Sequence, residues 1–412
     1  MIVMNNVFSV PAWQTPVAVQ QVMQAGTHVL AYYQLTVPVT QAHLFEAMAA
    51  KIANGQTIGT QHPAEVARLA AYTATVVWHS TPNPLPQEPD WVQGCFVLAF
   101  PVALVQQDMG ALQTVLFGKI SMGGRIRWED VWIPPCLAQR WQGAAFGVAG
   151  IRQLVGAEPQ NPLVMAIFKP CLGESPTALA ELLYQQAITG THLVKDDEVF
   201  SDATVDDGLR RLEACLTALE KAKAETGNTP LYAFNLNGPL HELLPRAERY
   251  LQAGATAFLF NYLAYGLPAL QLLRSQVSRH IPLIAHPALG GAFYGSPYHG
   301  LSPALVFGTL PRVAGADACL FPSPYGSVCL PTKEALAVQQ VLLCEHSGLK
   351  PVFPVPSAGI TASMVPNILQ DFGTEVIINA GTGIMEAEGG AVAGAKAFLA
   401  QLPKHSNTTV GN

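Results

Sequence analysis

The sequence predicts an α/β protein in which a smaller α+β domain precedes a C-terminal (β/α)8 TIM barrel. From residue 162 onward, eight short apolar segments alternate with amphipathic helical segments, as the repeating units of a parallel barrel do. Polar residues follow nearly every one of these segments, at the end of a barrel where active sites lie. The chain of 412 residues is long enough for a barrel and a second domain.

Residues 1–150 are expected to form the smaller, ferredoxin-like domain. Its predicted elements are three strands and two helices, at residues 27–37, 74–78 and 95–103, and at 41–54 and 109–117. The second helix runs directly into a turn in which glycines flank Lys119 on both sides.

Residues 151–404 are expected to form the barrel, with the polar residues 405–412 as a disordered tail. The predicted strands lie at residues 163–168, 192–194, 231–235, 257–260, 283–285, 318–321, 352–355 and 376–379, and helices between them include 207–226, 332–345 and 388–402. The strand ends carry Lys169, Lys195, Asp197, Glu198, Asn235, Asn237, Asn261, His286, Ser323, Ser357 and Asn379. Because these ends meet at one mouth, we expect a single site there, although some of these residues can also cap helices.

The composition argues against nucleic-acid and membrane partners. The net charge is −6 and no basic cluster with interleaved aromatic residues is present, so a nucleic-acid-binding surface is not expected. No apolar run reaches membrane-spanning length. Half of the residues are hydrophobic and only 12% are charged, which favours a protein that buries a large surface in an oligomer. Seven scattered cysteines without a CxxC pair, and no export signal, indicate a cytoplasmic protein.

The run Lys195-Asp196-Asp197-Glu198, at the end of the second predicted barrel strand, allows two interpretations. The lysine can stay protonated and pair with the carboxylates, as charge runs usually do. Alternatively, Lys195 can react with CO2 to form a carbamate whose oxygens join Asp197 and Glu198 as ligands of Mg2+, which prefers oxygen ligands. The spacing alone does not decide between them.

Glycine-rich turns, SAG and AGTG, follow the seventh and eighth predicted strands. The corresponding loops of many barrels bind phosphate through backbone N–H groups, and glycine lets the backbone approach the anion. Ser357, Gly359, Ala380 and Gly381 are therefore candidate phosphate contacts, although ordinary tight turns use the same residues.

Two further residues at the same mouth are candidates for catalysis. Lys169 ends the first predicted strand and can stabilise an oxyanion or move a proton, although a lone lysine is more often solvated. His286 follows the fifth strand and is either a substrate contact or a hydrogen-bonded histidine near the core.

Two stretches of the barrel resemble the large subunit of RuBisCO and its RuBisCO-like relatives. These are FKPCLG at residues 168–173 and, one strand later, KDDE at residues 195–198, and the resemblance extends from about residue 27 to residue 402. It implies that Lys195, carbamylated by CO2, binds Mg2+ together with Asp197 and Glu198. It also implies that Lys169 is the active-site lysine of the first strand.

The sequence departs from the carboxylases of this family at three places. Cys171 replaces the second lysine of their KPKLG stretch, and Pro287 replaces the arginine after the fifth-strand histidine. The sixth loop, FPSPYG at residues 321–326, lacks their mobile lysine. One of the two phosphate clamps and the cation for the carboxylation intermediate are missing, so carboxylation is not expected.

The FPSPYG loop and the stretch FGKIS at residues 117–121 resemble the RuBisCO-like enolases of methionine salvage. The resemblance implies tautomerisation of 2,3-diketo-5-methylthiopentyl 1-phosphate to 2-hydroxy-3-keto-5-methylthiopentenyl 1-phosphate. Lys119 would be the general base, reaching from the small domain of the neighbouring subunit in a homodimer, with Thr60 as a phosphate contact. We expect the metal and partial burial to keep Lys119 neutral. Gln61 and Ala145 depart from this group, where a tryptophan and a lysine are usual.

Two alternatives to the enolase are considered. One is a RuBisCO-like isomerase acting on a related sugar phosphate, which the retained Lys119 argues against. The other belongs to a different class, a non-catalytic protein that only binds a phosphorylated ligand, which the retained ligand set argues against.

Overall fold

The computed structural model describes residues 12–277 and 280–403, and its strands form two sheets. One is the six-stranded, mostly antiparallel sheet of the amino-terminal domain, and the other is an eight-stranded parallel barrel. The predicted fold class is therefore confirmed. The expected tail at 405–412 lies outside the described residues. None of the helices in the described ranges is both long and apolar enough to cross a bilayer.

The central strand of the amino-terminal sheet pairs antiparallel with a long strand on one side and with a shorter strand on the other. The strands of this domain are β1 (His28–Pro38), β2 (Thr75–His79), β3 (Asn83–Leu85), β4 (Glu88–Pro101) and β5 (Arg125–Trp132). Strand β1 is central, with β4 and β5 beside it, while β2 and β3 pair with β4. The helices are α1 (Val17–Ala25), α2 (Phe45–Gly55), α3 (Pro63–Arg68), α4 (Met109–Phe117) and α5 (Pro135–Trp141).

Helices α2 and α4 pack on this sheet through aromatic contacts. The ring centre of Phe45 on α2 lies 6.2 Å from that of Phe96 on β4, and Tyr33 on β1 stacks on Phe96 at 5.2 Å. A Cβ atom at Gly94 would come within 2.6 Å of the Phe45 ring, so this close approach requires glycine. The Tyr33 hydroxyl donates to the carbonyl of Leu116 on α4 at 2.6 Å. These contacts fix the end of α4, where the Lys119 turn begins.

Eight strands form the barrel in chain order, each parallel to the next. The first five are β6 (Leu163–Ile167), β7 (Leu193–Lys195), β8 (Leu231–Asn235), β9 (Ala257–Phe260) and β10 (Leu283–Ala285). A short strand, β11 (Gly300–Leu301), then pairs with β5 and joins the barrel to the amino-terminal sheet. The last three barrel strands are β12 (Ala318–Pro322), β13 (Phe353–Ser357) and β14 (Ile377–Ala380).

The barrel is nearly closed. Strand β14 pairs with β6. Strands β13 and β14 are joined by a side-chain hydrogen bond, in which Asn379 Nδ2 donates to Ser357 Oγ at 3.0 Å. The carboxyl ends of all eight strands therefore open into one mouth.

Helices precede, connect and follow the barrel strands. They are α6 (Gly147–Leu154), α7 (Pro176–Ala187), α8 (Val205–Thr226), α9 (Leu243–Gln252), α10 (Tyr262–Tyr265), α11 (Leu267–Gln276), α12 (Gly291–Tyr294), α13 (Leu310–Ala314), α14 (Thr332–Leu343), α15 (Val365–Phe372), α16 (Thr382–Met385) and α17 (Gly390–Ala400), with a π-helix at Leu305–Thr309. The long helix α8 starts at a capping box between Thr204 and Asp207 and ends at Gly227, whose φ is 73°.

Helix α6 closes the amino-terminal end of the barrel. Its Val148 and Ile151 pack with the inward-facing apolar residues of the strands. The backbone N–H groups of Phe146 and Gly147 donate to Asp317 Oδ1 at 2.6 and 2.9 Å. Because α6 spans position 150 and packs inside the barrel, we propose that the barrel domain begins near Gly147 rather than at residue 151.

The predicted barrel elements match the observed ones over nearly the same residues, but the amino-terminal domain differs more. Strand β5 has no counterpart among the predictions, because a bulge at Glu129 breaks the alternation of the strand: Tyr33 pairs with Trp128 and Tyr32 with Asp130. The helix expected at 41–54 starts as a 3-10 turn at Val39–Leu44 before α2 begins.

Candidate active site

Lys195 is the last residue of β7 and points into the barrel, where it is fully buried. Its Nζ donates to the carbonyl oxygen of Asp196 at 2.9 Å and lies 3.7 Å from Glu198 Oε2. Burial lowers the pKa of Lys195 from the usual lysine value, and the nearby carboxylates offset this only in part. The lysine is therefore more easily deprotonated than one at the surface.

Asp197 is 2% exposed and is held by the lysine from the first strand. Lys169 Nζ lies 2.6 Å from Asp197 Oδ2, and the backbone N–H of Val199 donates to Oδ1 at 3.2 Å. Burial alone would raise the pKa of Asp197, but the hydrogen bonds from Lys169 and Val199 bring it below the usual value. The same hydrogen bond with Asp197 raises the pKa of Lys169, which is therefore a cation.

His286, which follows β10, is the fifth site residue at the barrel mouth and lies near Glu198. Its Nε2 lies 3.4 Å from Glu198 Oε2, while Nδ1 accepts a hydrogen bond from the N–H of Ala288 at 3.3 Å. Because Nδ1 is an acceptor, we assign the ring proton to Nε2, which faces Glu198. Burial, with the charges of Lys195 and Lys169, lowers the pKa of His286, so the ring is neutral.

The side chains at this mouth offer oxygen ligands for a hard divalent cation, and a carbamate on Lys195 would add to them. Among the described residues, no three histidine, cysteine, aspartate or glutamate side chains come together as a metal site. Asp197 and Glu198 supply two carboxylates, and a third anionic ligand would come from another residue type. A carbamate on Lys195, which lies 3.7 Å from Glu198, would supply one.

The charges balance in both states of the site. Before modification, the cations Lys169 and Lys195 face the anions Asp197 and Glu198. After modification, three anionic ligands would face Lys169 and a divalent ion, again without net charge. A carbamate without the metal would leave uncompensated negative charge in a buried site, so modification and metal binding are expected to support each other.

A cavity of about 550 Å³ lies above these residues, and one of its walls is built from the loops that follow β13 and β14. The wall contains Ser357, Ala358, Gly359 and Gly381. Gly359 has a φ of 76°, and a Cβ atom there would lie 2.6 Å from Ser327 Oγ, so only glycine fits.

The candidate phosphate contacts are not equivalent in this wall. The Ser357 hydroxyl donates to the carbonyl of Val355 at 2.9 Å and accepts from Asn379, so it is used within the barrel. Gly359 and Gly381 line the cavity, whereas Ala380 is buried in β14 and does not.

The other wall of the cavity is apolar. It is formed by the loops after β10 and β12 and by the π-helix, and its side chains are those of Pro287, Leu289, Tyr294, Phe307 and Val328. Leu289 and Val328 are 60% and 54% exposed. The cavity therefore has a wall of glycine-containing loops on one side and a hydrocarbon wall on the other.

Lys119 does not line this cavity. It lies at the start of a 3-10 turn and contributes to a second cavity, of about 590 Å³, together with Gly59 and Gln61. Its side chain is exposed in the single chain, and the partial burial expected from the sequence concerns the site shared with a neighbouring subunit. Lys119 and the Gly59-Thr60 turn thus lie together in the amino-terminal domain, apart from the barrel mouth.

Gln56 holds the Lys119 turn to the end of α2. Its Nε2 donates to the carbonyl of Val115 at 2.9 Å, and its Oε1 accepts from the N–H of Ile120 at 3.2 Å. Asn54 Nδ2 donates to the carbonyl of Thr60 at 2.6 Å, and Thr60 Oγ1 accepts from a neighbouring backbone N–H. These side chains set the spacing between Lys119 and Thr60.

The sequence alone did not identify the buried residues that contact the KDDE run on the side facing α8. Arg211, Tyr232 and Asp202 are buried there, and Arg211 reaches Asp196 Oδ2 at 2.6 Å. A signal was present, because Arg211 falls on the buried stripe of α8 between Gly208 and Cys215. An arginine on an apolar helix stripe requires a buried partner.

Comparisons with known proteins agree with this geometry. A profile of the ribulose bisphosphate carboxylase large chain, catalytic domain, matches residues 147–322. The 2,3-diketo-5-methylthiopentyl-1-phosphate enolase of Bacillus licheniformis is 42% identical over 310 residues, which is 75% of this chain and 76% of that protein.

Solved structures show the same likeness. A RuBisCO-like protein from Alicyclobacillus acidocaldarius is similar with a TM-score of 0.82 and 39% identity, covering 91% of this chain and 92% of that one. A dimeric archaeal RuBisCO from Hyperthermus butylicus is similar with a TM-score of 0.78 and 25% identity, covering 91% and 90%. On this identity and coverage, the chain belongs to the RuBisCO large-chain family and, within it, to the RuBisCO-like proteins.

Proposed function

We propose that the protein is an enolase of methionine salvage, which tautomerises 2,3-diketo-5-methylthiopentyl 1-phosphate. The observation that carries this proposal is the convergence of buried Lys195 with Asp197 and Glu198 at the base of a two-sided cavity. The enolase name of relatives about 40% identical over three quarters of the chain supports the same activity.

Mg2+ would be held by Asp197, Glu198 and the carbamate of Lys195. When bound, it would draw charge from the two adjacent carbonyl oxygens of the substrate and acidify the neighbouring carbon. The lowered pKa of buried Lys195 supports this assignment, because only the neutral amine reacts with CO2.

The two walls of the cavity suggest how the substrate lies. Its single phosphate would face the backbone N–H groups around Gly359 and Gly381, and its methylthio end would lie against Leu289, Tyr294 and Phe307. A second phosphate would meet hydrocarbon on that side. The wall therefore favours a monophosphate with an apolar tail over a bisphosphate.

Lys119 of a partner subunit would act as the general base. Within one chain it is exposed and lines a separate cavity, so a second copy has to bring it to a mouth. Exposed apolar side chains that a partner would bury lie in both places: Leu172, Val199, Leu289 and Val328 on the loops at the mouth, and Met122, 82% exposed, beside Lys119. Self-association fits the dimeric archaeal relative, and we propose a homodimer for this chain.

The proton transfer can be followed atom by atom. Lys119, as a neutral amine, would take the proton from the carbon that bears the phosphate. The electron pair of that C–H bond would form the C=C bond, and the adjacent carbonyl oxygen would become negatively charged. Lys169 is a cation 2.6 Å from Asp197 and is placed to stabilise this oxygen. The oxygen then takes a proton from solvent to give the enol, and the Lys119 ammonium returns its proton to solvent.

The proposal is tested by assaying enolisation of this substrate with purified protein. Preincubation with Mg2+ and bicarbonate is expected to raise the activity, and Lys195→Ala to abolish it without unfolding the chain. Lys119→Ala should lower kcat by about 10²–10⁴-fold, the usual contribution of a general base. Lys223→Ala, which removes an exposed lysine of α8, is the matched control and should behave as wild type.

The alternatives give different outcomes in the same assay. Turnover of a related sugar phosphate, with none of the diketone, would indicate an isomerase. Binding of a phosphorylated ligand without turnover of either compound would indicate a non-catalytic protein. Activity of Lys119→Ala close to wild type would remove Lys119 as the base.

A further inference from the structure

A buried cluster behind the KDDE run connects three elements of the barrel. Arg211 on α8 donates from Nη1 to Asp196 Oδ2 at 2.6 Å and forms a two-point contact with Asp202, with N–O distances of 3.1 and 2.7 Å. Tyr232 on β8 donates its hydroxyl to Asp196 Oδ1 at 2.6 Å and accepts from Arg211 Nη1 at 2.8 Å. The N–H of Asn235 donates to Asp196 Oδ2 at 2.8 Å, so both oxygens of Asp196 are bound.

The guanidinium of Arg211 is also fixed by its packing. Its central carbon lies 4.1 Å from the ring centre of Phe200 and 3.9 Å from that of Phe234. Both faces are therefore covered by aromatic rings, which restricts the planar group to one orientation. All of its polar partners in this cluster are 8% exposed or less.

The cluster binds the loop that carries the candidate metal ligands at several points. Asp196 and Asp202 flank Asp197 and Glu198 in the chain, and both are bound by Arg211. Asn235 Nδ2 supports the same loop from inside, donating to the carbonyl of Glu198 at 3.2 Å and to another loop carbonyl. The segment from Asp196 to Asp202 is thus bound by Arg211 at both ends and by Asn235 in the middle.

The cluster reaches Lys195 through one backbone oxygen. The carbonyl of Asp196 accepts from Lys195 Nζ at 2.9 Å, and the position of that carbonyl depends on the side chain of the same residue. When an amine adds to CO2, an N–C bond forms, one C–O π bond becomes the second oxygen's lone pair, and one proton leaves to the solvent buffer. The nitrogen keeps one N–H, which can still donate to Asp196.

We propose that Asp196, Arg211 and Tyr232 form a positioning device that fixes the Asp196 carbonyl and thereby sets how readily Lys195 takes up CO2. This inference rests on the proposed function, because it assigns these residues to the activation of the same site. They do not touch the substrate. A purely stabilising role is the competing explanation, although a buried ion pair is often no more stabilising than apolar residues of the same volume.

The decisive measurement is the amount of carbamate on Lys195, observed by NMR with 13C-labelled bicarbonate and saturating Mg2+, as the CO2 concentration is raised. Tyr232→Phe removes one hydrogen bond to Asp196 without changing any charge, and Arg211→Lys keeps the charge but loses the two-point contact. We expect Tyr232→Phe to need about tenfold more CO2 for half-saturation, the effect of losing a hydrogen bond to a charged group, and Arg211→Lys to need at least as much. At saturating CO2, kcat of Tyr232→Phe should return to within about twofold of wild type, since chemistry itself is not changed.

The matched control is Tyr262→Phe, which removes another buried tyrosine hydroxyl, one that donates to the carbonyl of Val306 at 2.7 Å instead of to Asp196. Its CO2 titration should coincide with that of wild type. If Tyr232→Phe also coincides with wild type while both variants lose similar thermal stability, the cluster is only structural and the inference is overturned. If wild type forms no carbamate at any CO2 concentration, the proposed function fails, and this inference fails with it. Should Arg211→Lys not fold, Tyr232→Phe alone decides the question.

Discussion

The barrel mouth and the Lys119 turn each contain a candidate catalytic-site lysine, but only the lysine at the mouth is surrounded by other site residues of the same chain. Lys195 is fully buried, and the loop after it is held by Arg211, Asn235 and Lys169. Lys119 is exposed, and the side chain that secures its turn, Gln56, contacts only the backbone. The side chains at the barrel mouth are held by buried partners, whereas Lys119 lies on a surface with no barrel mouth beside it in the same chain.

This difference indicates where the two halves of the site meet. A lysine that abstracts a proton has to lie within hydrogen-bond reach of the substrate and be shielded from bulk water. In the proposed mechanism, the barrel mouth would supply the cavity and the metal ligands, and the Lys119 turn would supply the base. Two copies of the chain can satisfy both needs if each mouth receives the turn of the other.

The strongest test of this comparison mixes two inactive variants. Lys195→Ala and Lys119→Ala are each expected to lose nearly all activity. If every site takes its two lysines from different subunits, co-expression in equal amounts should restore about a quarter of wild-type activity, because about a quarter of randomly paired sites are intact. The measurement is kcat per site of the co-purified mixture, with each variant alone as the control. Activity that stays at the level of the single variants would place both lysines in one chain.

A second test concerns Lys169, the lysine that pairs with Asp197. Lys169→Gln should lower kcat by about 10²-fold, because the negative oxygen of the intermediate loses its cation. The same change frees Asp197 Oδ2, which Lys169 now holds at 2.6 Å, so Mn2+ binding to the substrate-free protein should become tighter. Activity and metal affinity are expected to move in opposite directions. A parallel fall of both, measured by steady-state kinetics and titration calorimetry, would mean that Lys169 orients Asp197 for the metal instead of competing with it.

The sequence was sufficient for the barrel mouth because its signals are local. Lys195, Asp197 and Glu198 lie within one short run, and β7 places them at the mouth directly. Lys169 and His286 follow from the end positions of two other strands. The structure brings all five together, with separations between 2.6 and 3.7 Å for the linked pairs.

Contacts between distant parts of the chain could not be predicted in the same way. Arg211 meets Asp196 only because α8 packs back on the strands, and Gln56 meets Ile120 across 64 residues. The bulge at Glu129 hides β5 from period-two analysis, since the extra residue shifts the pattern. The exposure of Lys119 is a property of the single chain, which a motif does not report.

Titrating groups in the two regions are also expected to change the free energy of unfolding with pH in opposite directions. In the barrel, the group is His192. His192, next to β7, accepts the N–H of Val164 at Nδ1, and burial, with the charge of Arg152, lowers its pKa to about 4. The folded chain therefore keeps this ring neutral while the unfolded chain protonates it below about pH 6.5. Its contribution to stability is complete above pH 6.5 and is lost as the pH falls toward 4, up to about 3 kcal/mol.

His192→Asn retains an acceptor for Val164 but removes the titration. The free energy of unfolding, measured by denaturant titration at pH 7.5 and pH 5, should fall less in the variant than in wild type, by about 2 kcal/mol. Activity at pH 7.5 should be unchanged, because His192 lies at the amino-terminal end of its strand, away from the mouth. Equal losses in both proteins would show that another group causes the acid sensitivity.

Asp130 on β5 gives the amino-terminal domain the opposite response. Burial raises its pKa to about 6, although the N–H of Val131 and the hydroxyl of Thr309 donate to Oδ1 at 2.8 and 2.9 Å. Because the folded pKa exceeds the unfolded one, this group stabilises the fold at low pH and loses that contribution as the pH rises through 6. Asp130→Asn keeps both hydrogen bonds to Oδ1 and should raise the free energy of unfolding at pH 7.5 by about 2 kcal/mol, after allowance for its partial exposure. The gain should shrink at pH 4.5, and a gain of equal size at both values would contradict a titrating Asp130.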